Sequence, residues 1–153
     1  MSTPVFAPPE TAVPGCLLCE ACGGSLVWQD AAWRLIRADE ADFPAFYRVV
    51  LRRHAAEFSE LGNAERARCM ALVVAVEQVL RDLLRPTKVN LAALGNAVPH
   101  LHWHVIARFY WDSHFPQPVW GVRQREAVPS ARVRLAVTPE ALDIAMAAAL
   151  SAL

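Results

Sequence analysis

Three of the five histidines in this 153-residue chain stand at alternate positions, His100, His102 and His104. That period of two is the period of a β-strand, which predicts three imidazoles on one face. A strand rise sets neighbouring Cα atoms about 6.6 Å apart and the outer pair about 13 Å apart. One metal ion could take two of these rings from a regular strand, but hardly three. The triplet therefore reads as a platform with divided roles. An imidazole with an ordinary pKa near 6.5 offers a neutral nucleophilic nitrogen at physiological pH, or donates to a charged oxygen. Leu101, Trp103 and Val105 alternate with the histidines and supply the apolar side that seats the strand on a core.

A second cluster lies near the N-terminus, where Cys16, Cys19 and Cys22 crowd into seven residues. This spacing suits metal or redox chemistry in a reducing compartment better than a disulfide framework. Two thiolates and two imidazoles would make a closed tetrahedral set of the kind structural zinc favours. A redox disulfide or a pair of free thiols is the competing reading, and Cys22 repeats the same spacing from Cys19. Cys69 stands alone in a helical pattern and reads as packing.

The elements that must hold these groups follow from pattern. Ser25 to Gln29 and Trp33 to Arg37 are β-prone runs around Asp30-Ala31-Ala32, a predicted hairpin. Phe46 to Arg52 is a third strand leading to His54. From Asn63 as N-cap to Arg85, Cys69, Leu72, Val73, Val76, Leu80 and Leu83 fall on one helix face, and Pro86 stops the helix. Lys88 to Leu94 and His100 to Tyr110 are two further strands, joined through Gly95-Asn96-Ala97-Val98-Pro99, whose glycine permits a tight turn. Thr138 caps, and Pro139 opens, a C-terminal helix. Phe115 to Arg134 is a long irregular excursion of the kind that folds over a site. Arg108 keeps step with the histidines but reads as an exposed cation, and His114 as a surface residue.

Composition bounds the rest. The length suits one domain that buries roughly two thirds of its unfolded surface. Met1 to Gly15, with four prolines and no basic residue, reads as a loose arm rather than a secretory signal, and residues 16–153 as the domain. Fifteen basic against fifteen acidic residues carry no general footprint for nucleic acid or anionic membrane, so an anionic ligand must be held locally. No apolar run approaches the ~20 residues of a membrane span. A cytoplasmic protein with a small-molecule substrate is the expectation.

His100-Leu101-His102-Trp103-His104 followed by Val105-Ile106, with Asn90 to Pro99 before it and Arg108-Phe109 after it, resembles the histidine-triad (HIT) family in its bacterial branch. The resemblance runs from Cys16 to about Trp120. It implies an α+β fold with an antiparallel sheet of about five strands, one long helix and a C-terminal helix, usually as a homodimer. It also implies a nucleotide hydrolase or transferase acting on nucleoside phosphoramidates or dinucleoside polyphosphates, with His102 as nucleophile. Attack at the α-phosphorus would form a nucleotidyl-histidine and split one displacement into two. His104 and Asn96, with the amides of the glycine turn, are the candidate donors to phosphate oxygens; Asn90 is a weaker candidate for sugar or phosphate. The resemblance further implies a structural zinc on Cys16, Cys19, His54 and His100, and no catalytic cofactor. Many family members carry Gly-Gln-Ser-Val before the triad. Gly95-Asn96-Ala97-Val98 here shortens the amide and removes the hydroxyl donor, and Ala107 replaces a common proline. Two other classes stay open: a metal-dependent hydrolase or oxygenase using a His-x-His pair, and a noncatalytic zinc-stabilised nucleotide-binding module.

Overall fold

The structure, a computed structural model, describes residues 5–153. Five antiparallel strands form one sheet: β1 (Ser25–Gln29), β2 (Trp33–Arg37), β3 (Phe46–Leu51), β4 (Lys88–Ala92) and β5 (His102–Arg108), in the order β1-β2-β3-β5-β4. The helices are a single turn α1 (Leu17–Glu20), the long α2 (Asn63–Leu84), a short α3 (Ala131–Arg134) and the C-terminal α4 (Pro139–Ser151). This is the α+β architecture the sequence predicts.

Alternation along the strands divides the sheet into two faces. Tyr47, Val49 and Leu51 of β3, with Val105 and Ala107 of β5, pack into one core with Cys69, Leu72, Val73, Val76 and Leu80 of α2 and Leu142, Met146 and Leu150 of α4. Burial of this area is the main stabilising term. Phe46, Arg48 and Val50 point the other way, in register with Ile106, His104 and His102. Helices α2 and α4 thus cover one face, and His102 and His104 occupy the other, where the single turn α1 packs against Ile36 and Val50.

Several boundaries differ from expectation for physical reasons. Gly62, not Asn63, occupies the α2 cap, because the Glu65 carboxylate reaches back to accept from the Gly62 N–H at 2.9 Å. Leu83 is exposed and Leu84 is buried in its place, a one-residue drift of the 3.6 period over a 22-residue helix. Thr138 caps α4 as expected, its hydroxyl accepting from the Ala141 N–H at 3.2 Å. Asp143 of that helix accepts from Arg37 and from the Tyr47 hydroxyl at 2.8 Å, fastening α4 to the sheet. Of the expected arm, residues 1–4 lie outside the described region. Val5 to Gly15 has no helix or strand and lies against the first hairpin, where Gln29 donates to the Val5 carbonyl and the Arg34 guanidinium stands 5.0 Å from the Phe6 ring.

Arg108 is not an exposed cation. It is buried, with its Nε and Nη2 on the two Asp112 carboxylate oxygens at 2.8 and 3.0 Å, Nη1 on Asn90 Oδ1 and Nη2 on the Gln117 carbonyl. Asp112 also accepts from the backbone N–H groups of Phe109, His114 and Phe115. This buried pair turns the chain after β5 back across the histidine face. His114 is half-buried in that turn, bonded to Ser113 and tilted over Phe43 rather than free at the surface. The excursion therefore does fold over the face, and it carries Trp120 to within 4.9 Å of the His104 ring, centroid to centroid.

Candidate active site and metal centre

The three histidines do not share one strand face. β5 begins at His102; His100 precedes it, in a segment where Leu101 exchanges backbone bonds with Ala55 and Leu51. Freed from the strand, the buried His100 side chain turns toward α1. Its Nε2 donates to the Leu51 carbonyl at 2.6 Å, because a carbonyl can only accept. The lone pair is thereby left on Nδ1, which lies 3.4 Å from both Cys16 Sγ and Cys19 Sγ.

His54, just past β3, completes the group with its Nδ1 3.5 Å from Cys19 Sγ. One ligand atom from each of Cys16, Cys19, His54 and His100 lies within 4.8 Å of every other. Around a tetrahedral zinc, with bonds of about 2.3 Å to sulfur and 2.0–2.1 Å to nitrogen, sulfur and nitrogen ligands stand about 3.6 Å apart. The donor set and spacing fit that ion. Burial pushes the Cys19 thiol up, so a thiolate there requires a cation beside it. The His100 bond to Leu51 is the support a ligating imidazole usually has. Cys22 is not in the group, and neither is His102 or His104. Gly24 lets the cysteine segment join β1, since a Cβ there would meet the Arg37 carbonyl oxygen at 2.4 Å.

His102 faces the opposite need. Its Nδ1–H donates to the His100 carbonyl at 2.6 Å, leaving Nε2 as the unprotonated nitrogen. Burial lowers its pKa, against the opposing pull of that hydrogen bond, so the ring is neutral near pH 7. His104 stands edge-on to it, ring centroids 4.7 Å apart, with Phe46 and Trp120 also edge-on around it. Burial first, then His102 and Arg48, push the His104 pKa down to about 3. Its Nδ1 is sealed from solvent without a partner, a condition that in native proteins calls for a functional explanation.

The two histidines open into a cleft of about 550 Å³, walled by Leu17, Leu18 and Gly23 from the cysteine segment, Leu94 to Val98 from the glycine turn, and Arg48 and Trp120. Gly95 takes φ +76°, the left-handed backbone glycine favours, and this bends the turn toward the histidines with Asn96 on the wall. Asn90 is not brought to this cleft. It lines a separate groove along β4, and its Oδ1 is occupied by Arg108.

A family model described as the HIT domain matches residues 23–110, more than half of the chain. The chain belongs to the HIT family. Among solved structures, this HIT protein is similar to a histidine triad protein from Bradyrhizobium japonicum, with 28% identity, TM-score 0.68, and coverage of 94% of this chain and 98% of that one. A histidine triad protein from Marinobacter aquaeolei shows 26% identity and TM-score 0.67 over 86% of this chain and 92% of its own. A zinc-bound histidine triad family protein from Mycobacterium smegmatis shares the fold at 17% identity and TM-score 0.54, over 84% and 85% of the two chains. No curated protein matches the chain.

Two cleft residues were not singled out by sequence. Arg48 carried a signal, a lone charge between Phe46 and Val50 on an otherwise apolar strand face. Trp120, with Phe115 one of two aromatics in the excursion, reads as packing from sequence, since nothing local says that Arg108 folds it back onto His104.

Proposed function

We propose that this HIT protein is a nucleotide hydrolase or transferase in which His102 Nε2 attacks the α-phosphorus of a nucleoside phosphoramidate or dinucleoside polyphosphate. The observation that carries the reading is the His102 Nδ1–H bond to the His100 carbonyl, which leaves a neutral ring with its nucleophilic nitrogen in the cleft. In the first step a phosphorus–nitrogen bond forms at Nε2 as the bond to the leaving group breaks with its electron pair, an amine leaving group taking up a proton from solvent. The ring then carries a positive charge, which the His100 carbonyl stabilises through the retained Nδ1–H. Water next displaces the imidazole and gives up a proton to solvent, leaving the nucleoside monophosphate and the free neutral ring. His104, neutral over the working range, and Asn96 with the amides of the Gly95 turn are the proposed donors to the phosphate oxygens. Asn90 enters the reading only through Arg108, which shapes the cleft wall.

The Cys16, Cys19, His54 and His100 group is proposed to hold a structural zinc, supported by its spacing and by the zinc-bound M. smegmatis relative. Such an ion would fix the cysteine segment and the end of β3 to the start of β5, and so set where His102 points. A catalytic metal on His102 and His104 is disfavoured: among the described residues no third ligand stands with them. A cytoplasmic location and a homodimer are part of the proposal, the dimer alone being supported by apolar side chains left exposed at Val74 on α2 and Leu91 on the edge strand β4. The deciding experiment incubates the protein with adenosine and guanosine phosphoramidates and dinucleoside polyphosphates and separates the products. A nucleotide attached to His102, found by mass spectrometry after an acid-free quench, supports the reading; hydrolysis of none of these compounds overturns it.

A further inference from the structure

Arg48 stands in the cleft without a salt-bridge partner among the described residues, the Glu40 carboxylate acting on it only through space. Its Cα is in register with His104 across β3 and β5, on the histidine face of the sheet. No Asp or Glu lines the cleft, so this guanidinium is the single formal charge among its described lining residues. Among the described residues its Nε is sealed from solvent without a hydrogen-bond partner, and the guanidinium makes one bond, a long 3.3 Å contact from Nη1 to the Gly23 carbonyl. The Phe46 ring beneath it, 5.0 Å from Cζ, orients the planar group. A partly desolvated guanidinium with idle donors is complementary to an anion with two adjacent oxygens, which it can grip as a fork. The glycine turn, with Ala97 following Asn96, offers that anion no side-chain hydroxyl.

We propose that Arg48 is the anion-binding residue of the cleft, gripping the non-bridging oxygens of a nucleoside 5′-phosphate beside His102. This rests on the nucleotide reading given above, and it assigns the charge recognition to β3 rather than to the turn alone. The cleft then selects phosphate-bearing nucleosides over free nucleosides through one charged side chain. The alternative role for Arg48 is mechanical, as a strut from β3 to Gly23.

Titration calorimetry of wild type, Arg48→Gln and Arg48→Lys with AMP and GMP, and with adenosine and guanosine, at about 0.1 M salt tests this. Losing a charge-assisted pair should weaken the monophosphates by about ten- to a hundredfold in Arg48→Gln while leaving the nucleosides within about twofold. Arg48→Lys should fall between, because it keeps the charge without the fork. Equal monophosphate binding by wild type and Arg48→Gln overturns the proposal, whatever happens to the melting temperature, and so does a wild type that binds monophosphates no better than nucleosides. If Arg48→Gln fails to fold, NMR of the wild-type Arg48 Nε–H decides: a shift on adding AMP but not adenosine supports the proposal, and no shift overturns it. Because AMP is not turned over, these results are independent of catalysis. Discrimination intact with no hydrolysis of any substrate would overturn the enzyme reading and leave the assignment of Arg48 standing.

Discussion

His102 Nδ1–H donates to the backbone carbonyl of His100 at 2.6 Å, while the side chain of the same His100 faces Cys16 and Cys19. One residue thus belongs to both centres, its main chain to the candidate nucleophile and its ring to the candidate metal. The orientation of His102 is tied to the cysteine segment by this single link.

Substituting His102→Ala should lower kcat by at least about a thousandfold, since both the nucleophile and its transition-state contacts are removed. The side chain lies at the cleft and not in the helix-covered core, so the melting temperature should move by only a few degrees. Steady-state kinetics and calorimetry check this together. Near-normal turnover by the variant on any active substrate would end the assignment.

Protein purified without added metal should contain about one zinc per chain by elemental analysis. Cys19→Ser should lose the metal and melt roughly 10 °C lower, as expected for a loss of about 3 kcal/mol at 2–4 °C per kcal/mol. It should also lose activity through the His100 link although no reacting atom touches it. A wild type without metal, with thiols that react freely and a melting temperature indifferent to zinc, would contradict the metal centre.

Asp112 is the clearest source of acid sensitivity. Burial acts to raise its pKa, but the Arg108 pair and the backbone N–H groups of Phe109 and His114 outweigh burial and hold it below the usual carboxylate range. A depressed folded pKa contributes stability above the unfolded value of about 3.9, and that contribution is lost as pH falls through the folded value. Asp112→Asn should therefore cost about 3 kcal/mol near pH 7, where it leaves Arg108 buried without its counter-charge. The gap in melting temperature between variant and wild type should narrow once the pH drops below about 4. A gap that is constant from pH 7 to pH 3 would refute the linkage.

Sedimentation at micromolar concentration should show a species of twice the 16.9 kDa chain mass. Leu91→Lys places a charge on the edge strand and should shift the equilibrium toward monomer, since strand edges are commonly blocked by charge. A wild type found solely at monomer mass would rule out the dimer.

Much of this molecule was legible in the chain because local pattern decides local structure. The limits of β1 and β2, the place of α2 and the cap of α4 follow from alternation, 3.6-residue spacing and the Thr138-Pro139 pair, each of which acts within a few residues. Residue type marked out the cysteine cluster and the histidines, but the choice of Cys16, Cys19, His54 and His100 came from the family resemblance, since spacing alone left Cys22 and a disulfide open. Tertiary structure alone decided the rest. Equal spacing of the three histidines could not reveal that His100 leaves the strand, since that depends on the Leu51 carbonyl across the sheet. Arg108 reads as a surface cation until Asp112 and Asn90 close around it, and the cost of burying a charge is met only by partners whose approach the fold supplies. Arg48 and Trp120 join one cleft through a sheet register and a folded-back loop. Composition and periodicity report which face of an element is apolar; which polar groups meet across 3 Å is set by packing between segments that lie tens of residues apart.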